Sequence, residues 1–241
     1  MLYALAIALI ISLLGGDSPF MVPKLDKYVK KHIVDDTRKK NVLVLLKESK
    51  KERKKTVKAN GKHFKQFHKL FESRDTKQVD FDQLLNEIVE TQAKSQKKNV
   101  KVIRESQEFI TDVEWEAIEI DIAKSLAKSD KKRTKKKTKT DKHFLKWKSK
   151  INKSIADEDK RNEALKSVEN LRTVYMKNYK ILQDELLNDK SIMYQYKASE
   201  TELVALQDEF IDFVKEVFEA SFKTHFELVE LTTPEEWKKI Y

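Results

Sequence analysis

Glycine and proline are almost absent from this chain, with three of each in 241 residues. Tight turns draw on these two residues, because glycine admits positive φ angles and proline presets φ near −65°. A chain so poor in turn residues must run long distances in one direction, and an α-helix satisfies its backbone hydrogen bonds within one segment while doing so. The sequence therefore predicts an all-α protein of long amphipathic helices, arranged as an elongated antiparallel bundle or coiled-coil hairpin.

The charges of the chain are numerous and unevenly distributed. The whole sequence carries 50 Lys and Arg against 40 Asp and Glu, a formal charge of +10. Residues 1–153 contain 38 basic and 21 acidic residues, whereas residues 154–241 contain 12 basic and 19 acidic residues. This imbalance concerns the partners of the protein rather than its fold.

The N-terminal segment is apolar from residue 2 to residue 14, with Ser12 as the one interruption. No basic residue precedes it and no small-x-small cleavage site follows it cleanly, because Leu13 and Leu14 stand three residues before the candidate glycine cuts. We therefore expect an uncleaved membrane anchor over residues 1–23 rather than a secretory signal. A spanning helix needs about 20 apolar residues, so a cleaved signal or a buried core helix remain alternatives. The expected membrane contacts are Leu2, Tyr3, Leu5, Ile7, Leu9, Ile10, Ile11, Leu13 and Leu14.

Basic residues follow this segment, beginning with Lys24, Lys27, Lys30 and Lys31. Under the positive-inside rule, a single-pass anchor with this flank places the body of the protein in the cytoplasm. A cleaved signal would instead leave the body periplasmic or secreted.

The two ends of the body differ in charge. Residues 24–79 predict a basic helical region, with a break at Gly61, the one glycine of the body. Residues 189–241 predict an acidic C-terminal helical region. Within it, Thr233 and Pro234 form a strong helix start, since threonine caps the helix and proline fits its first turn.

Residues 80–188 predict an antiparallel helical hairpin, in which residues 84–128 pair with residues 144–186. The Lys-rich residues 129–142 form its tip, because they contain no apolar side chain that could pack. The seam of the first helix follows alternating steps of three and four: Ile103, Ser106, Ile110, Val113, Ala117, Ile120 and Ala127.

Two Lys-rich runs are the candidate binding residues. The first is Lys131, Lys132, Arg133, Lys135, Lys136 and Lys137 at the hairpin tip, and the second is Lys47, Lys50, Lys51, Arg53, Lys54, Lys55 and Lys58. Neither run contains an aromatic residue on which bases could stack, so nucleic acid is an unlikely partner. Anionic lipid or an acidic protein requires only nearby positive charge. Simple solvation of a helix surface is the alternative.

The stripe formed by Phe210, Phe213 and Val217 is the candidate seam of the acidic region. Its three-four spacing places these side chains on one helix face, so we expect burial against another helix. That helix belongs either to this chain or to a partner, including a second copy.

The parts of an enzyme are missing from the sequence. Cysteine is absent, and His63 and His68 stand five residues apart, whereas zinc ligands on a helix stand three or four apart. We expect no metal, cofactor or small-molecule substrate. The sequence favours a non-enzymatic, membrane-anchored helical scaffold or interaction subunit of a membrane-associated assembly. The alternatives are a secreted or periplasmic adaptor and a membrane-tethered protein that binds nucleic acid or anionic lipid.

Intact-mass measurement of the purified protein tests the anchor. We expect the mature chain to retain residues 1–16, because the apolar run lacks the basic start and the cleavage site of a signal peptide. A mature chain that begins at or after Asp17 would show that the segment is a cleaved signal.

Overall fold

A computed structural model describes residue 22, residues 24–182, residue 184 and residues 191–241. All regular structure within these residues is helical, which confirms the all-α prediction. In chain order the elements are α1 (Leu25–His32), α2 (Asp36–Glu72), α3 (Gln78–Gln107), α4 (Asp112–Ser154), α5 (Glu158–Ile181), a 3-10 turn (Ile192–Tyr194), α6 (Glu200–Leu231) and α7 (Pro234–Ile240). The longest helix, α4, extends about 65 Å at 1.5 Å per residue.

Short polar residues, rather than glycine, begin most of these helices. Asp35 accepts a hydrogen bond from the Arg38 backbone N–H (2.7 Å), and Thr111 is the N-cap of α4. Such caps satisfy amide groups that the first turn leaves without a helical partner. The predicted helix start at Thr233 and Pro234 is confirmed, since Thr233 caps α7 and proline occupies its first turn.

Neighbouring long helices in the bundle are antiparallel. The α2–α3 pair is bridged by a hydrogen bond from Gln92 to Asn60 (3.0 Å), and α4 packs on α5 and α5 on α6. Helix α6 also packs on α3, so the order around the bundle is α2, α3, α6, α5, α4. Helix α1 contacts both α2 and α4, and α7 contacts α4. These contacts place α6 and α1 on opposite sides of the bundle.

An aromatic cluster holds the end of the bundle where α2 turns into α3. The rings of Phe81 and Phe222 stack with centroids 4.3 Å apart, and Phe67 lies 5.2 Å from Phe71. His225 is fully buried within this cluster. Its ring contacts Phe71, Phe81, Phe226 and Trp237.

The predicted membrane anchor, residues 1–23, lies outside the described residues except for Val22. This includes the expected membrane contacts Leu2 to Leu14. Among the helices that the structure describes, none is long and apolar enough to cross a bilayer.

The predicted hairpin tip is wrong, because residues 129–142 lie inside the continuous helix α4. The turns lie instead at residues 73–77, 108–111 and 155–157, so residues 84–128 do not pair with residues 144–186. The lack of apolar residues limits packing, although Thr140 is buried, and it does not stop a helix, since lysine has a high helix propensity and threonine is tolerated.

The predicted seam of residues 103–127 is also wrong from Val113 onward. Val113 and Ile120 are 70% and 52% exposed, whereas Trp115 and Ile118 are fully buried. The chain leaves the helix after Gln107 and starts again at the Thr111 cap, which resets the helical phase. A periodicity counted across such a break assigns the wrong face to the second helix.

The predicted break at Gly61 does not occur, since α2 runs through this residue from Asp36 to Glu72. A single glycine costs a helix about 1 kcal/mol relative to alanine, which the packing of a long helix can offset.

Lowering the pH should destabilise the protein through His225. Burial lowers the pKa of His225 from 6.5 to about 4. The unfolded chain therefore binds a proton at a higher pH than the folded protein. The free energy of unfolding should fall as the pH drops from 6.5 to 4, by up to about 3 kcal/mol. Urea titrations across this range measure the effect.

The matched variant is His225→Phe, which keeps an aromatic ring in the cluster and should lose most of this pH dependence. His63→Gln is the comparison variant. Burial also lowers the pKa of the partly buried His63, so this variant measures how much of the pH dependence a second histidine contributes. An unchanged pH dependence in His225→Phe would rule out His225 as its source.

Candidate anionic-surface binding face

Helices α2 and α4 run side by side in the same direction, although they do not pair directly along their lengths. At one end the Arg38 guanidinium donates to the Glu114 carboxylate at 2.6 and 2.9 Å. At the other end Phe71 and Trp147 both contact the ring of Tyr241, at centroid distances of 6.2 and 6.4 Å. In both cases the α4 residue is numbered 76 higher than the α2 residue. Equal numbering offsets at the two ends mean that the two helices keep the same register.

This register brings the Lys-rich stretches together. Lys47 and Lys58 of α2 are level with residues 123 and 134 of α4, where the Lys-rich part of α4 begins. We call the side formed by α1, residues 47–58 of α2 and residues 121–135 of α4 the basic face. It combines three stretches of positive charge that are far apart in sequence.

Helix α1 lies between the two longer helices and is tied to both by ion pairs. The Lys50 ammonium donates to the Asp26 carboxylate of α1 at 2.6 Å. On the other side, Asp121 of α4 accepts from Lys31 at 2.6 Å and lies 2.9 Å from the ring nitrogen of His32. These hydrogen bonds, that of Lys31 first, hold the pKa of Asp121 at about 2, so this carboxylate is ionised at neutral pH.

An open cavity of about 300 Å³ separates α1 from α4 on the basic face. Five lysines and one carboxylate contribute to its walls. The lining residues are Lys24, Lys27, Tyr28, Lys31, Asp121, Lys124, Ser125 and Lys128. At neutral pH these side chains carry a net charge of +4, concentrated around one concave surface.

The positive charges of the cavity are largely uncompensated. Asp121 is already engaged by Lys31 and His32. Lys24, Lys27, Lys124 and Lys128 form no ion pair with any carboxylate in the part of the chain that the structure describes. Concave surfaces lined by one sign of charge focus the field and raise the local concentration of counter-ions. The arrangement suits an anionic ligand or surface.

The predicted candidates lie in different environments. Lys135 is an exposed residue of α4, whereas the side chains of Lys131, Lys132, Arg133, Lys136 and Lys137 lie outside the described residues. Phe210, Phe213 and Val217 are 1%, 8% and 0% exposed in the chain's own core.

Sequence reasoning missed the cavity itself. The sequence presents Lys24, Lys27 and Lys31 only as the basic flank of the N-terminal segment, and no local pattern distinguishes Lys124 and Lys128. Lys27 and Lys31 are four residues apart on α1, which indicates one helix face. That signal gives no hint of the partner face on α4, about a hundred residues later in the chain.

Comparison with protein families, curated proteins and solved structures finds no match for this chain. Among the described residues, no group of three or more His, Asp or Glu side chains is placed to hold a metal ion.

Removing the Asp121 carboxylate should loosen α1. In Asp121→Asn, Lys31 and His32 lose their charged partner on α4, so the amides of residues 25–32 should exchange hydrogen several-fold faster than in the unchanged protein. Hydrogen exchange followed by mass spectrometry measures this. Asp212→Asn is the matched control, because Asp212 is mostly exposed and pairs with Lys215 of its own helix. Equal exchange of α1 in both variants would show that the Asp121 ion pairs do not hold α1.

Proposed function

We propose that this chain is a non-enzymatic helical scaffold that lies on an anionic membrane surface through its basic face. The observation that carries the proposal is the convergence of basic residues from α1, α2 and α4 on one side of the bundle. Three separate stretches that meet in this way act together on a flat charged surface, whereas scattered lysines do not.

The position of the basic face in the sequence supports a membrane as the partner. Lys24 follows directly on the predicted anchor, residues 1–23, so the first basic residues stand where the chain would leave a bilayer. Each Lys or Arg near an anionic leaflet contributes about 1 kcal/mol of attraction, within about one Debye length of the surface. Anchor and basic face would therefore act on the same surface, and two such signals together give stable attachment.

The rest of the bundle supports a scaffolding role. The basic face belongs to long helices packed on one another, with α6 on the opposite side. Helix α6 exposes acidic residues there, including Asp208, Glu209 and Glu219. A body attached by its basic face would present this acidic side to a protein partner. Such a partner would have to be basic at its contact surface.

Vesicle binding by the full chain tests the proposal. The first variant, called the α2 variant, replaces three exposed lysines that α2 contributes to the basic face: Lys47→Gln, Lys54→Gln and Lys58→Gln. The control replaces three exposed lysines of α3 and α5, for the same change in net charge: Lys94→Gln, Lys97→Gln and Lys166→Gln. The vesicles consist of phosphatidylcholine alone or of equal parts of phosphatidylcholine and phosphatidylserine.

We expect the unchanged protein to prefer the anionic vesicles, and this preference to weaken with added salt. The α2 variant should lose about tenfold or more of the preference, given about 1 kcal/mol for each lysine. The control should retain it. An α2 variant whose preference for anionic vesicles equals that of the control would contradict the proposal. Displacement of the protein from anionic vesicles by a polynucleotide would also contradict it and would favour nucleic acid as the partner.

A further inference from the structure

We propose that the cavity between α1 and α4 is a binding site for a phosphomonoester group. This goes beyond attraction to an anionic surface, because it assigns a ligand chemistry to one place on the basic face. It rests on the proposed function only for the source of the phosphate, which is a lipid headgroup in one case and a free phosphate in the other.

The lysines of the cavity form two rows on facing helices. Lys27 and Lys31 are four apart on α1, with Lys24 directly before its first residue, and Lys124 and Lys128 are four apart on α4. Side chains at such steps share one helix face. The cavity between the two rows is therefore lined by ammonium groups on both sides. A small anion placed in it would receive hydrogen bonds from α1 and α4 together.

The charge of a phosphomonoester matches this site. Such a group carries about −1.5 to −2 charges at neutral pH and three strong acceptor oxygens. The four lysines without a carboxylate partner can supply donors to all three oxygens, since each ammonium has three N–H groups. A carboxylate or a phosphodiester offers one charge, and so neutralises less of the cavity.

Size and wall chemistry also limit the ligand. A volume of about 300 Å³ is at the lower end of small-molecule sites, which suits a headgroup and not a nucleic-acid duplex. Tyr28 and Ser125 are 7% and 9% exposed and line the same cavity, so its wall also includes two hydroxyl-bearing side chains. Asp121 stays occupied by Lys31 and His32 and fixes the spacing of the two helices.

The test separates a phosphate site from general attraction to charge. The cavity variant carries Lys27→Gln, Lys124→Gln and Lys128→Gln. Its matched control is the α2 variant, with Lys47→Gln, Lys54→Gln and Lys58→Gln, which removes the same charge from the same face outside the cavity. Both are compared with the unchanged full chain after melting curves show equal folding. The probes are inorganic phosphate and phosphatidylcholine vesicles that contain phosphatidic acid or phosphatidylserine at matched surface potential.

We expect the unchanged protein to bind phosphatidic acid vesicles about tenfold more tightly than phosphatidylserine vesicles, because charge-assisted hydrogen bonds add to the surface attraction. In the cavity variant the two affinities should become nearly equal. The α2 variant should bind both kinds of vesicle more weakly and keep the tenfold ratio between them. A ratio retained by the cavity variant would overturn the site, and so would a ratio near one in an unchanged protein that also fails to bind inorganic phosphate.

The inorganic phosphate arm identifies the source of the group. Phosphate binding that the cavity variant loses supports a site open to free phosphate. A phosphatidic acid preference without phosphate binding supports the lipid headgroup as the ligand. If the unchanged protein binds phosphate but does not bind anionic vesicles, the result contradicts the proposed function and still supports the phosphate site. An unchanged protein that shows neither a preference for phosphatidic acid vesicles nor phosphate binding would contradict the site.

Discussion

The aromatic cluster at one end of the bundle fixes the positions of the helices along their axes relative to one another. The basic face depends on those relative positions. Phe67 and Phe71 of α2 meet Phe81 of α3 and Phe222 of α6 there. Each buried aromatic ring removes about 150–250 Å² from water. Sliding any of these helices by one turn would therefore separate several ring pairs at once. Tyr241 carries the same constraint to α4, because it contacts both Phe71 and Trp147, and α4 in turn supplies one wall of the cavity.

Away from this cluster the interface of α2 and α3 becomes polar. Ser49 bonds to Asn99 and Gln92 to Asn60 in buried positions. Polar pairs at a helix interface add little net stability, but they specify register, because a shifted helix would leave them unsatisfied. The basic face lies along this weaker part of the bundle, where its lysines repel one another. Carboxylates bonded across two helices oppose that repulsion, among them Asp26, Glu52, Glu114 and Asp121. The like charges are thus held in place by a small number of contacts.

Sequence alone could predict the helical class and the helix at Thr233, because turn residues and caps are local signals. It could not predict the phase of α4, since the four residues between α3 and α4, of which Thr111 is the last, place Trp115 rather than Val113 in the core. The Lys-rich run at 129–142 lacks apolar residues, a property that limits packing but not helix formation, so its composition does not predict a turn. The cavity escaped prediction for another reason. Its two walls are about a hundred residues apart, and only tertiary packing brings them level.

The charge imbalance along the sequence becomes an imbalance across the molecule. Basic residues of the N-terminal half lie on α1, α2 and α4, while α6, which carries many of the C-terminal acids, packs on α3 and α5. Since α6 and α1 lie on opposite sides of the bundle, the molecule has an electric dipole across its width. The field of an anionic surface both attracts such a molecule and exerts a torque on its dipole. The cavity would turn toward the surface and α6 away from it, so one charge distribution would set both attachment and the face left open to a partner.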